Sequence, residues 1–213
     1  MWIAPSRHPK IRYWTVEHWK ILTFTTENDW KTAIEIFEDR INYRYLEAIY
    51  TLQENDNNYY DQNSQRRFGF SMMALDCLLI ETLAQFYAGI PESPKGRGKN
   101  REFYSSFLCQ ASFALKKDFD TLDKANLFYD TIRCGILHQA ETKKSSTIWF
   151  YESSKPNLPF EPTPDGKGLK IYWSNFHQLV KDEFTTYCKC LKDDNPIGYR
   201  TSFKSKMDSI CQV

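Results

Sequence analysis

Net charge is nearly absent from this chain: 28 basic and 27 acidic side chains leave +1 over 213 residues. That excludes a protein whose whole surface attracts nucleic acid, so any phosphate-binding groups must be local. Long apolar runs are missing too. Met72–Ala84 is the most apolar stretch, and Asp76 and Glu81 interrupt it. It falls short of the ~18 apolar residues that cross a bilayer. Met1–Lys10 holds no apolar run that would serve as a signal peptide. The six cysteines show no paired spacing, which fits reduced thiols. Together these absences give the expectation of a cytoplasmic protein that makes no membrane contact. Metal-ligand spacing is also lacking. Cys188 and Cys190 are two apart on an expected helix and point to different sides. His177 and Cys211 fit no chelating pattern. No metal and no cofactor is expected, and the chain shows no repeat or low-complexity tract.

What is present is apolar periodicity. Trp30, Ile34, Phe37, Ile41, Tyr45, Ala48 and Leu52 recur at helical spacing behind Thr26, a candidate N-cap, with Asn55–Asn58 as the expected end. Phe68, Met72, Leu75, Leu79, Leu83 and Phe86 mark a second helix, apolar around much of its circumference and stopped by Gly89 and Pro91. A third carries Phe103, Phe107 and Ala111. A fourth runs from about Thr121 to Gln139, with Leu122, Ala125, Phe128, Tyr129, Ile132 and Ile136 as its core stripe. Thr147–Tyr151 and Leu169–Trp173 read as strands. Ser174 then caps an expected fifth helix through Leu191, which Pro196 and Gly198 break; a short last helix holds Phe203, Met207 and Ile210.

The expected fold is all-α: an antiparallel bundle of four core helices with an appended β-hairpin and C-terminal helices. Residues 1–25 form an aromatic N-terminal extension, irregular apart from a short extended segment at Ile21–Thr25. Residues 26–192 form the helical domain, with the hairpin at about 147–173. Residues 193–213 form a helical C-terminal extension.

The chemistry sits near the end of the fourth helix, at Arg133-Cys134-Gly135-Ile136-Leu137-His138. An imidazole moves protons near neutral pH. A guanidinium stays charged and presents a fork of donors matched to phosphate oxygens. The two suit metal-free cleavage of a phosphodiester. Five helical residues at ~100° each set Arg133 and His138 about 140° apart, so His138 points away from the core stripe. Asp76 and Glu81 are either buried groups that hold Arg133 or solvated rim residues. Lys95, Arg97, Lys99 and Arg101 place a charge at every second position of a Gly-containing loop, as an RNA grip or a solvated linker. Lys143 and Lys144 follow His138 closely and are better placed for phosphate. His8, His18 and His177 show no partner pattern and read as structural. Trp149, Tyr151, Tyr172 and Trp173 either stack on bases or pack the hairpin on the bundle.

Residues Leu75–Leu83 with Phe86 and Gly89, and Asn126–Tyr129 leading into Ile132–Glu141, resemble the HEPN superfamily of small helical domains, in a plasmid- and prophage-associated subgroup. The hallmark is an arginine and a histidine late in the last core helix, here Arg133 and His138. The similarity covers about residues 65–150. It implies a homodimer in which two such helices meet and both Arg–His pairs line one cleft. It also implies metal-independent endoribonuclease activity, with RNA as substrate and a toxin or phage-defence role beside an antitoxin or effector partner. Many members have a polar residue directly after the arginine, where this chain has Cys134. Some carry a tyrosine two residues after the histidine, where this chain has Ala140. The alternatives are a catalytically inactive HEPN-like dimer that binds RNA or protein, and a helical scaffold that regulates a neighbour.

Overall fold

The computed structural model describes residues 1–63, 66–150, 157–195 and 197–213. Most of the described residues are helical, and two small sheets lie among them. Strands β1 (Trp2–Pro5) and β2 (Tyr13–Thr15) pair antiparallel and lead into α1 (Val16–Lys20). The first 25 residues are therefore ordered and packed, contrary to the irregular segment that their prolines suggest. Trp14 and Trp19 are buried in the main core, and Ile21–Thr25 is a turn rather than a strand. Asp39 on α2 (Glu27–Ile41) fastens this segment. It accepts from the Trp14 indole at 2.8 Å, the Arg7 amide at 3.1 Å and the Arg7 guanidinium.

Thr26 caps α2 by accepting from the Asp29 amide at 3.2 Å. A π-helical turn at Asn42–Leu46 joins α2 to α3 (Glu47–Asn63). The helix thus runs through Asn55–Asn58, where local polarity argues for a stop. The reason is tertiary. The fully buried Asp56 accepts from the amides of Arg67 and Phe68, at 2.7 and 3.1 Å, and from Arg66 at 3.3 Å. It needs helical backbone at 56 to reach the start of the next element.

That element, α4 (Gly69–Ala88), is the central helix. By length and composition it is apolar enough to cross a membrane, yet it packs against α3, α8 and α9 among others within the fold. Gly89 ends it in the left-handed region, at φ 67°. A Cβ there would also lie 2.9 Å from the Ser202 backbone. Next come α5 (Lys99–Ser106), a π turn at Phe107–Ala111 and a 3-10 turn at Leu115–Lys117. The buried side of this stretch is Tyr104, Phe107 and Leu108, and Ala111 faces out. Helix α6 (Leu122–Phe128) continues through a π turn at Tyr129–Arg133 into α7 (Cys134–Gln139). Leu122 lies outside the core stripe and is exposed.

The appended hairpin is not one. Strand β3 (Thr147–Trp149) runs parallel to β5 (Leu169–Tyr172), pairing Ile148 with Ile171. The antiparallel partner of β5 is β4 (Phe160–Pro162). The long connection supplies this strand itself and leaves room for the crossover that a parallel pair requires. Tyr172 and Trp173 are buried against the helices, whereas Trp149 is exposed with the Lys170 ammonium 4.3 Å from its ring centre. Tyr151 and Pro196 lie outside the described residues.

Helix α8 (Trp173–Asp193) begins one residue before Ser174, so Ser174 belongs to its first turn and is not its cap. Helix α9 (Tyr199–Cys211) closes the chain. Arg200 grips the Glu27 carboxylate with two donors, at 2.9 and 2.8 Å. The six thiols are unpaired.

Glu183 of α8 has no solvent exposure. Its carboxylate accepts from the amides of Phe113, Ala114 and Leu115, at 2.9, 2.6 and 3.3 Å, and from the Tyr87 hydroxyl. It thereby fixes the start of the 3-10 turn to α8 and α4. Glu183→Ala leaves three amides and a hydroxyl without an acceptor and is expected to cost ~3 kcal/mol or more. Urea unfolding checks this, and a loss below ~1 kcal/mol would show that water replaces the carboxylate.

Candidate functional site

Arg133 is the last residue of the π turn at Tyr129–Arg133. Such a turn adds a residue to the helix and is often found where a helix is adapted to function. The guanidinium donates from Nη2 to Glu81 Oε2 at 2.6 Å, and the two side chains are only 12% and 15% exposed. The other Glu81 oxygen accepts from Asn100 Nδ2 at 3.1 Å. Asn100 Oδ1 in turn accepts from the Tyr129 hydroxyl at 2.8 Å. The ring of Tyr129 lies 5.2 Å from the Arg133 guanidinium carbon. Arg133 is thus held by Glu81 of α4, which Asn100 of α5 holds in turn, while its Nε is buried without a partner among the described residues.

The electrostatics follow from this closure. Burial works to raise the Glu81 carboxyl, but hydrogen bonds from Arg133, Ser93 and Asn100 outweigh it and lower it. Burial works to lower Arg133, and its bond to Glu81 outweighs that and raises it. Burial pushes the Tyr129 hydroxyl up to about 12, against the opposing charge of Arg133.

The segment after α7 folds back on this turn. Ala140 takes a left-handed conformation at φ 53°, and the Lys143 amide then donates to the Thr131 carbonyl at 2.8 Å. This return passes so close to Gly135 that a Cβ there would stand 2.4 Å from the Glu141 carbonyl oxygen. Lys143 is brought beside the π turn; Lys144 is exposed one residue on, with φ 57°.

The structure brings Arg133 and Glu81 together, and the Lys143 backbone meets the same π turn at Thr131. Cys134 follows them on the helix, half-buried. His138 is exposed near the end of α7. Asp76 does not hold Arg133. It lies about 140° around α4 from Glu81, fully buried, and meets His177 Nδ1 at 2.8 Å. His177 therefore has a partner that its sequence surroundings do not reveal, because the two are 101 residues apart. The basic loop divides. Arg101 is bound by Asp130 through two bonds, at 2.9 and 2.7 Å, and joins the rim of the Arg133 cluster as half of an ion pair. Lys95 pairs with Glu92 at 2.5 Å, and Arg97 and Lys99 are exposed. Among the described residues no group of three or more His, Cys, Asp or Glu side chains is placed to hold a metal.

Tyr129, expected only as a core-stripe residue, and Asn100, for which no role is expected, also belong to this cluster. Tyr129 precedes Arg133 by four residues, one helical turn, which is a detectable signal. Asn100 gives none, since it meets Glu81 only through tertiary folding.

Compared with family models, with curated proteins and with solved structures, the chain matches none.

Two expectations come from this geometry. The Glu81 carboxyl is lowered on folding, so its stabilising effect is present above its unfolded value of ~4.3 and is lost as pH falls through the lower folded value. The stability gap between wild type and Glu81→Gln should be constant near pH 7 and shrink below about pH 4. Urea titrations at several pH values measure it, and a gap that widens on acidification contradicts the pairing. Gly135→Ala should cost ~1–3 kcal/mol, because the 141–143 backbone must move away. A variant as stable as wild type would mean that the return segment yields freely.

Proposed function

We propose that this protein is a metal-independent endoribonuclease of the HEPN type, working as a homodimer in the cytoplasm in a toxin or phage-defence setting. The observation that carries the reading is Arg133 fixed by Glu81, Asn100 and Tyr129, with an exposed imidazole at His138 farther along the same helix. A guanidinium that is already oriented loses little freedom when it meets a phosphate, and it stabilises charge that develops there. In this proposal α2–α3, α4, α5 and α6–α7 are the four antiparallel core helices of the family. RNA is the substrate, and an antitoxin or effector is the protein partner.

His138 transfers a proton, taking it from the ribose 2′-OH or giving it to the leaving 5′ oxygen. The 2′ oxygen forms its bond to phosphorus as the bond to the 5′ oxygen breaks. Arg133 stabilises the charge on the phosphorane-like transition state. The products are a 2′,3′-cyclic phosphate and a 5′-OH end, and DNA, which lacks the 2′-OH, is spared. The homodimer supplies what one helix lacks, since the two side chains diverge around its axis. Lys143 and Lys144 supply local positive charge for the backbone, joined by Lys95, Arg97 and Lys99 from the basic loop.

A second reading has its own support. Arg133 is largely buried and already paired with Glu81, which suits an inactive HEPN-like dimer that binds RNA or another protein.

The purified protein is expected to cleave total RNA in EDTA and to lose that activity in His138→Ala. Arg133→Lys should lose roughly 10²-fold or more in cleavage rate with RNA affinity nearly unchanged, because lysine keeps the charge without the planar fork. Light scattering should give twice the 25.3 kDa chain mass. Cleavage that requires added divalent metal, or that survives His138→Ala, rejects the mechanism. RNA binding without cleavage selects the inactive dimer.

A further inference from the structure

On another face of α4, away from Arg133, the Asp76–His177 pair lies beneath a groove. Asp76 has no solvent exposure, and its Oδ2 has no hydrogen-bond partner among the described residues. Its Oδ1 holds His177 Nδ1 at 2.8 Å. The two imidazole nitrogens point to nearly opposite sides of the ring. With Nδ1 directed into the core, Nε2 is left facing the groove that His177 lines. Such a carboxylate–imidazole pair fixes the ring's orientation and the nitrogen presented outward.

The groove has a volume of about 520 Å³, within the ~300–1,000 Å³ usual for small-molecule sites. One wall is the π turn at Asn42–Leu46 and the start of α3; the other is the first two turns of α8. The second π turn of interest in this chain thus borders a concave polar site. The lining chemistry is mixed. Lys181 brings a cation to the rim and forms no ion pair among the described residues. Asn42, Gln53 and Gln178 bring amides from both walls, each with donors and an acceptor. Tyr50 offers an exposed ring, and Glu47 an exposed carboxylate.

The geometry points to a second site, in which the Asp76–His177 pair and Lys181 bind the phosphate of a nucleoside monophosphate. A phosphate monoanion matches Nε2 in both protonation states: P–O⁻ accepts from an imidazolium, and P–OH donates to a neutral ring. Lys181 adds charge without geometric demand. The amides match the donor and acceptor edges of a base, and the Tyr50 ring offers a surface for stacking. Glu47, which would repel a bare anion, accepts from ribose hydroxyls. This site shares no residue with the Arg133 cluster and does not rest on the ribonuclease reading.

Calorimetric titration of the full chain with AMP, GMP, CMP and UMP, beside ribose 5-phosphate and inorganic phosphate, tests it. At least one nucleotide should bind about tenfold or more tightly than either smaller compound. His177→Gln and Lys181→Ala should each weaken that binding by roughly tenfold or more, the loss expected for one hydrogen bond to a charged group. Lys181 is exposed, so its variant should keep the wild-type unfolding temperature and test binding even if His177→Gln folds poorly. Failure of all four nucleotides to bind at millimolar concentration overturns the proposal. So do equal affinities for nucleotide and ribose 5-phosphate, or an unchanged affinity in Lys181→Ala.

Discussion

A carboxylate taken out of water must be met by donors, and in this protein that requirement joins segments that apolar packing alone would leave unregistered. Asp39 draws in the N-terminal strand pair through Arg7 and Trp14. Asp56 sets the entry to α4 by accepting from the Arg67 and Phe68 amides. Glu183 locks a 3-10 turn to α8 through three consecutive amides. On α4 itself, Asp76 engages α8 and Glu81 engages the π turn before α7. Apolar side chains fill the core, but they tolerate sliding by a turn or a residue. These bonds do not, because each requires its donor at a fixed distance and direction.

Glu81 shows how that requirement bears on chemistry. The same bond that makes a carboxylate tolerable in an apolar helix also orients Arg133 and neutralises it in the resting protein. A guanidinium so placed is a poor long-range attractor of polyanions. It is a well-fixed donor to a phosphate that arrives by other means. In the proposed enzyme, attraction and stabilisation therefore fall to different residues, the exposed lysines and the buried arginine.

How far the sequence reveals this depends on the range of each interaction. The α4 and α6–α7 helices are legible, since a stripe such as Ala125, Phe128, Ile132 and Ile136 repeats at helical spacing. The Glu81–Arg133 pair is legible as well, although 52 positions separate the two, because a carboxylate in an otherwise apolar helix needs a donor and an arginine late in the last core helix is a chemical match. Asp76–His177 is not legible, since nothing around either residue marks a partner 101 positions away. The parallel pairing of β3 with β5 is hidden for a similar reason. Two adjacent strand patterns suggest a hairpin, and Phe160–Pro162 is too short and too rich in proline surroundings to announce itself as the intervening strand. The run Asn55–Asn58 misleads outright, because its local preference to end a helix is weaker than the tertiary demand on Asp56.

The indole of Trp19 donates to Asp208 at 2.8 Å across 189 positions of sequence. A ribosome adds ~5–20 residues per second, so roughly 10 to 40 s separate the synthesis of these partners. Throughout that interval Trp19 can meet Phe24 but lacks the Asp208 acceptor and the Phe203 ring of the late helix. The strand pair can be fastened early by Asp39, but the packing of the opening segment is completed only when the last helix arrives.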